Sequence, residues 1–95
     1  MAKNARRITY DPTKNKRNIA ERGLPFTLVA DLDWQNAITM FDTRRDYGET
    51  RLQVFAMLGG RLHMAVVTRR GEAVHVISFR KANGKEVRRY GQAKV

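Results

Sequence analysis

Three apolar runs in succession, residues 51–58, 62–68 and 73–79, are separated only by Gly59-Gly60 and by Arg69-Arg70-Gly71-Glu72. Runs of this length punctuated by short glycine-bearing links read as strands joined by antiparallel hairpins. Nothing else in the chain constrains the fold so tightly. At 95 residues the sequence makes one domain, and a chain of that size hides only about 60 to 65 per cent of its unfolded surface, so its stability margin is thin.

Pairing the strands through those links assigns their faces. With Leu58 opposite Arg61 and Arg69 opposite Glu72, the side chains of Phe55, Met57, Leu62, Met64, Val66, Ile77 and Phe79 share one face, which reads as the bulky core. The other face carries smaller residues, Leu52, Val54, Ala56, Ala65, Val67, Val74 and Val76, together with His63, Ser78 and Arg80. This register sets His63 directly across from Ser78, with Arg80 two residues further on. A slip of one residue would scatter that polar group.

The remaining segments arrange themselves around the meander. Residues 1–7 are basic and without periodicity, a flexible arm, and residues 8–10 form a short strand. Asp11-Pro12 reads as an N-cap with proline at the first helical position, opening a helix over 12–22 that Gly23 stops. On it Lys14, Asn18 and Arg22 fall on one stripe, and little of its surface is apolar. Thr27 is a candidate cap for a second short helix to residue 32; residues 37–42 read as a strand and 43–50 as a charged loop. Asn83 and Glu86 have the spacing of a capping pair for a final helix ending near Tyr90-Gly91. The expected architecture is α+β: two N-terminal helices, an antiparallel sheet of about four strands and a C-terminal helix.

The net charge of +10 is concentrated at both ends: residues 1–22 hold seven Lys or Arg against two acids, and residues 80–95 hold six against one. Such a field attracts polyanions and releases their counterions, which puts nucleic acid first among ligand classes, although an acidic protein would be drawn equally. A hydrophobic fraction of 42% supports one core, no run approaches the roughly 18 apolar residues of a membrane helix, and cysteine is absent. A cytoplasmic setting with no membrane association is expected.

Metal and nucleotide chemistry are poorly supplied. His63 and His75 face opposite sides by strand parity, so no zinc site is expected. Asp42, Asp46 and Glu49 share their loop with Arg44, Arg45 and Arg51, the pattern of a charge-balanced loop rather than of a magnesium site. Leu58-Gly59-Gly60 lacks the lysine and helix of a triphosphate-binding loop. What remains is cofactor-free chemistry on a phosphodiester, which needs cations, a base and an acid, and in RNA the 2′-hydroxyl already supplies the nucleophile. Arg80 and Arg51 are candidate phosphate ligands, His63 a candidate acid or base, and Tyr90 or Glu49 its counterpart. Each has a structural alternative: a hydrogen-bonded strand histidine, an Arg51 balancing Glu49, a packed Tyr90, an Arg80 salt-bridged to Glu86. Lys14, Arg22 and Lys81 are candidate contacts to the RNA backbone. His75 is given no role.

The order of Tyr10-Asp11-Pro12, Lys14, Asn18, Gly23-Leu24-Pro25-Phe26, Glu49-x-Arg51, Gly60-Arg61-Leu62-His63, Arg70-Gly71 and the block from Val76 to Tyr90, with Ile77-Ser78-Phe79-Arg80-Lys81-Ala82, Glu86 and Tyr90, resembles the BrnT toxin family. The resemblance spans most of the chain and implies a small bacterial ribonuclease of the RelE superfamily. It further implies an endoribonuclease that inhibits translation, held inactive by a BrnA-type antitoxin, with operator DNA contacted only through that antitoxin. One position departs from the pattern: many relatives end the first helix with Lys-His-Gly, where this chain has Glu21-Arg22-Gly23. If that histidine donates the proton in those relatives, another group must do so here, because arginine stays charged. A non-catalytic nucleic-acid- or antitoxin-binding module is the alternative from another class, and a structural ribosome-associated protein is a third.

Overall fold

The computed structural model describes residues 7–93. Strand β3 (Leu52–Leu58) turns into β4 (Arg61–Arg70) through Gly59 and Gly60, both at positive φ, and Leu58 faces Arg61 as the two-residue link requires. The next hairpin, from β4 to β5 (Ala73–Lys81), is centred two residues later in summed register than expected: Arg70 faces Ala73, and Gly71-Glu72 form the turn. Gly71 alone has positive φ there, the type II′ arrangement. Centring the turn on Arg70-Gly71 would have pushed an arginine towards the left-handed region.

A second irregularity matters more. The pairing runs Val66 to Ser78 and then Val67 to Val76, so Ile77 is an extra residue in β5, a β-bulge. Beyond it every β5 side chain changes face relative to the regular register. Phe79 joins the face of Val54 and Val67, and Arg80 turns to the other.

Two short edge strands complete the sheet. Strand β2 (Ile38–Phe41) pairs antiparallel with β3, and β1 (Ile8–Tyr10) pairs parallel with β5, with Ile8 against Val74. The result is a mixed five-stranded sheet in the order β1-β5-β4-β3-β2, not an antiparallel sheet of about four strands. Of the expected basic arm, residues 1–6 lie outside the described residues, while the Arg7 carbonyl accepts a hydrogen bond from the Val74 amide at 2.8 Å.

Helix α1 (Pro12–Arg22) starts and stops as its caps dictate: Asp11 Oδ1 accepts from the Thr13 amide, and Gly23 closes the helix at φ 70°. It lies against the stretch of β5 that β1 is too short to reach. Asn18, only 5% exposed, makes the join; its amide donates to the carbonyls of Leu24 (2.8 Å) and Phe79 (3.0 Å) and its Oδ1 accepts from Arg22 (2.7 Å). The second expected helix is a 3₁₀ segment, Phe26–Asp31, without a side-chain cap, followed by a further turn at Trp34–Asn36. Buried Phe26, Val29 and Leu32 recur every third residue, the period of a 3₁₀ helix, and so share one side.

That side builds the main core. Phe26, Val29, Leu32 and Phe79 fill the space over Val54, Ala56, Ala65, Val67 and Val76. The small-residue face of the sheet is therefore the more heavily packed, reversing the expectation: short strand side chains leave room for bulk delivered by the 3₁₀ segment. The face of Phe55, Met64 and Val66 carries a smaller cluster, completed by Ala82 and by Tyr90 of helix α2 (Gly84–Ala93). Asn83 and Glu86 form the reciprocal capping pair, each backbone amide bonded to the other's side chain at 2.9 Å, and Glu86 also receives a two-pronged Arg80 guanidinium at 2.8 and 2.9 Å.

Replacing Asn18 with Ala leaves two buried carbonyls unpaired and should lower unfolding free energy by about 2 to 3 kcal/mol, read as a lower urea midpoint at unchanged slope. A second outcome concerns pH. The Arg80 hydrogen bonds, more than any other influence, hold the Glu86 carboxyl below the usual glutamate range. A depressed acid contributes stability that is present above its unfolded pKa and is lost as pH falls through the folded one. Arg80→Ala should therefore cost about 1 kcal/mol near neutrality, and the gap to wild type should close on acidification below about pH 4.

Candidate functional site

The bulge in β5 separates residues that a regular register would have grouped. His63 lies on the main-core side, 3% exposed, with Nδ1 bonded to the Arg61 carbonyl at 2.8 Å and its ring stacked on Phe79 at 5.4 Å. It pairs with Lys81, not with Ser78, whose strand neighbour is Val66. Arg80 points from the opposite face and is engaged by Glu86. The expected cluster of His63, Ser78 and Arg80 is therefore not formed. Lys81 is exposed on the His63 side, and the Tyr90 hydroxyl donates to the Asn36 carbonyl at 3.2 Å.

A different constellation forms at the other end of the Arg80 face, where α2 does not reach. Its foundation is the 43–50 loop. Asp42 is buried, binds the Arg44 guanidinium at 2.7 Å through each oxygen, and accepts from the Tyr47 hydroxyl at 3.1 Å. The Arg44 hydrogen bonds hold the Asp42 carboxyl far below the usual carboxylate range despite its burial, and Asp42 in turn raises Arg44. Tyr47 then serves as a platform: the Arg51 guanidinium lies 4.1 Å above its ring centroid. Glu49 bonds Arg51 at 3.0 Å through one oxygen and approaches Arg70 at 3.7 Å through the other. The Thr68 hydroxyl bonds the Thr50 carbonyl at 2.7 Å and fixes the loop to β4. A segment that reads as a solvated loop is thus held in place by ion pairs.

His75 belongs to the same face. Val74 and Val76 pack into the main core, so the residue between them points the other way, in a row that runs Thr9, His75, Thr68 across β1, β5 and β4. Its Nδ1 lies 2.8 Å from the Thr9 hydroxyl. Partial burial lowers its pKa, the positive charges of Arg70 and Lys14 lower it further, and Glu49 and Asp11 oppose them. Sequence alone gives His75 no role, because strand alternation sets it among core-facing residues or near an edge. The usable signal was the turn: placing Gly71-Glu72 at its centre puts His75 level with Thr68.

A third group lies along α1. Lys14, Arg17 and Arg22 border a shallow hollow of about 250 Å³ whose floor is Ser78 and Ile77. The stripe of Lys14, Asn18 and Arg22 is therefore real, with its middle member buried as the anchor and its ends facing solvent. Positive groups thus line the open face from α1 through Arg70 and Arg51 to Arg44, whose charge is felt at Arg80. Among the described residues no three His, Asp or Glu side chains gather closely enough to hold a metal ion, and no helix is long and apolar enough to cross a membrane.

This geometry suits an anionic chain lying across fixed guanidinium groups, with an imidazole and a carboxylate among them. Comparison with known proteins narrows the chemistry. No curated protein sequence matches the chain. A family model described as the ribonuclease toxin BrnT of type II toxin-antitoxin systems matches residues 10–86, a span that runs from the end of β1 into the first turn of α2 and includes Arg51, Arg70, His75 and Arg80. On that match, which covers most of its length, the chain belongs to the BrnT family of ribonuclease toxins of type II toxin-antitoxin systems.

Proposed function

We propose that this chain is the toxin of such a pair: an endoribonuclease with a RelE-like active surface that cuts RNA without a metal ion, inhibits translation, and is neutralised by a BrnA-type antitoxin. The observation that carries the reading is the open sheet face on which Glu49 fixes Arg51 and Arg70 side by side. Two guanidinium groups held by one carboxylate retain donors for a phosphate and need little rearrangement as charge builds on it. In this scheme Arg51 grips the scissile phosphate, Glu49 positions it, and Arg80 takes a neighbouring phosphate. Lys14 and Arg22 guide the RNA backbone along α1. His63 is left out because its ring is enclosed, and Tyr90 and Lys81 because they lie apart from Arg51.

A partner is suggested by the opposite edge of the sheet. Among the described residues strand β2 ends the sheet, and it carries Met40 (45% exposed) and Phe41 (70% exposed) on its two opposite faces, so a protein strand added along that edge would cover both. Contact with operator DNA would then come through the antitoxin.

A second reading is favoured by the enclosure of His63 and the engagement of Arg80 by Glu86: a nucleic-acid- or antitoxin-binding module without turnover. Incubating the protein with single-stranded RNA in excess EDTA separates the two. The ribonuclease reading expects cleavage products in EDTA and a loss of about 10²-fold or more in rate for Arg51→Ala, with a smaller loss for Arg80→Ala. Salt-sensitive binding with intact RNA would establish the module instead.

A further inference from the structure

Resting on the proposed ribonuclease reading, we infer that His75 is the proton acceptor of the reaction, with Thr9 as its positioning residue. The placement carries this. His75 is the histidine on the open face, in strand register with Thr68, and Glu49, the carboxylate that fixes Arg51 and Arg70, acts electrostatically on it. The Thr9 hydroxyl at 2.8 Å occupies Nδ1. If Nδ1 carries the proton and donates it to that oxygen, Nε2 is left with a lone pair directed away from β1. Among the described residues no hydrogen bond engages Nε2.

The charged groups that face the ring keep that lone pair available. Arg70 from β4 and Lys14 from α1 disfavour the imidazolium, and partial burial does so more strongly. Glu49 from the loop and Asp11 from the α1 cap act in the opposite sense and are outweighed. A neutral ring near pH 7 is a base, and the step it supports balances as follows. Nε2 takes the proton of the 2′-hydroxyl, the 2′-oxygen forms a bond to phosphorus, and the bond from phosphorus to the 5′-oxygen breaks. The departing 5′-oxygen takes a proton from water, and the imidazolium returns its own to solvent. The products are a 2′,3′-cyclic phosphate and a 5′-hydroxyl. In this scheme Arg51 and Arg70, both paired with Glu49, meet the negative charge that accumulates on the phosphoryl oxygens.

Arg22, at the end of α1, is tied to Asn18 at 2.7 Å and stays charged, so it can attract phosphate but cannot shuttle protons, and in this step water protonates the leaving oxygen.

The test is a rate-against-pH profile for cleavage of a short single-stranded RNA, using wild type, His75→Gln, His75→Ala and Thr9→Val, with thermal melts confirming the fold of each. The wild-type rate should rise with pH through one ionisation below that of free histidine and then level off. His75→Gln should lose about 10²-fold or more and that rising limb, while its RNA binding is retained. Added imidazole should restore part of the activity of His75→Ala. Thr9→Val should keep the limb but lower the plateau. Cleavage by His75→Gln at wild-type rate with an unchanged profile overturns the inference and leaves the ribonuclease reading standing. A wild type that yields no products overturns both.

Discussion

One surplus residue in β5 determines how the two faces of this sheet are used. Ile77 has no counterpart on β4, so Val76 and Phe79, three apart, both enter the main core, while Ile77 and Arg80 leave it. The upstream half of the strand is held by β1 and the downstream half by Asn18 of α1, so the strand changes partner near the place where it changes register. Bulges sharpen local twist and re-aim side chains. Here that re-aiming stacks Phe79 under His63 and delivers Arg80 to the cap of α2.

Local chemistry in the sequence was legible wherever one residue type has one conformational use. Gly59-Gly60, the Asp11-Pro12 cap, Gly23 and the Asn83–Glu86 pair all act as their types require. The bulge was not legible, since an isoleucine between a valine and a serine carries no mark of being unpaired. Nor was β1 as a parallel strand, because its partner is remote in sequence and no turn fixes the pairing. Both omissions bear on the candidate site: the sequence singles out Arg51, Glu49 and the α1 stripe as candidates, while the registers that enclose His63 and set His75 beside Thr68 depend on the bulge and on the position of one turn.

Charge on the open face is arranged through carboxylates rather than simply accumulated. Asp42 holds Arg44 and Tyr47, Tyr47 supports Arg51, and Glu49 joins Arg51 to Arg70. The partly exposed pairs of Glu49 add little to stability one by one. Their effect is to restrict flexible side chains to a few geometries, which lessens the ordering a polyanion must impose when it binds. A chain with net charge +10 attracts polyanions in any case; the carboxylates decide which of its cations are held in place.

Strand β1 is three residues long, and its partner lies near the far end of the chain, with Thr9 meeting His75 across 66 positions. Such a contact raises contact order and is among the last to form, because a large loop must close before it is rewarded. On a ribosome, which releases the amino end first, Thr9 has nothing to bind until the final hairpin has emerged. The row across the open face is therefore completed only once β5 has emerged, well after β1 and α1 are free of the ribosome.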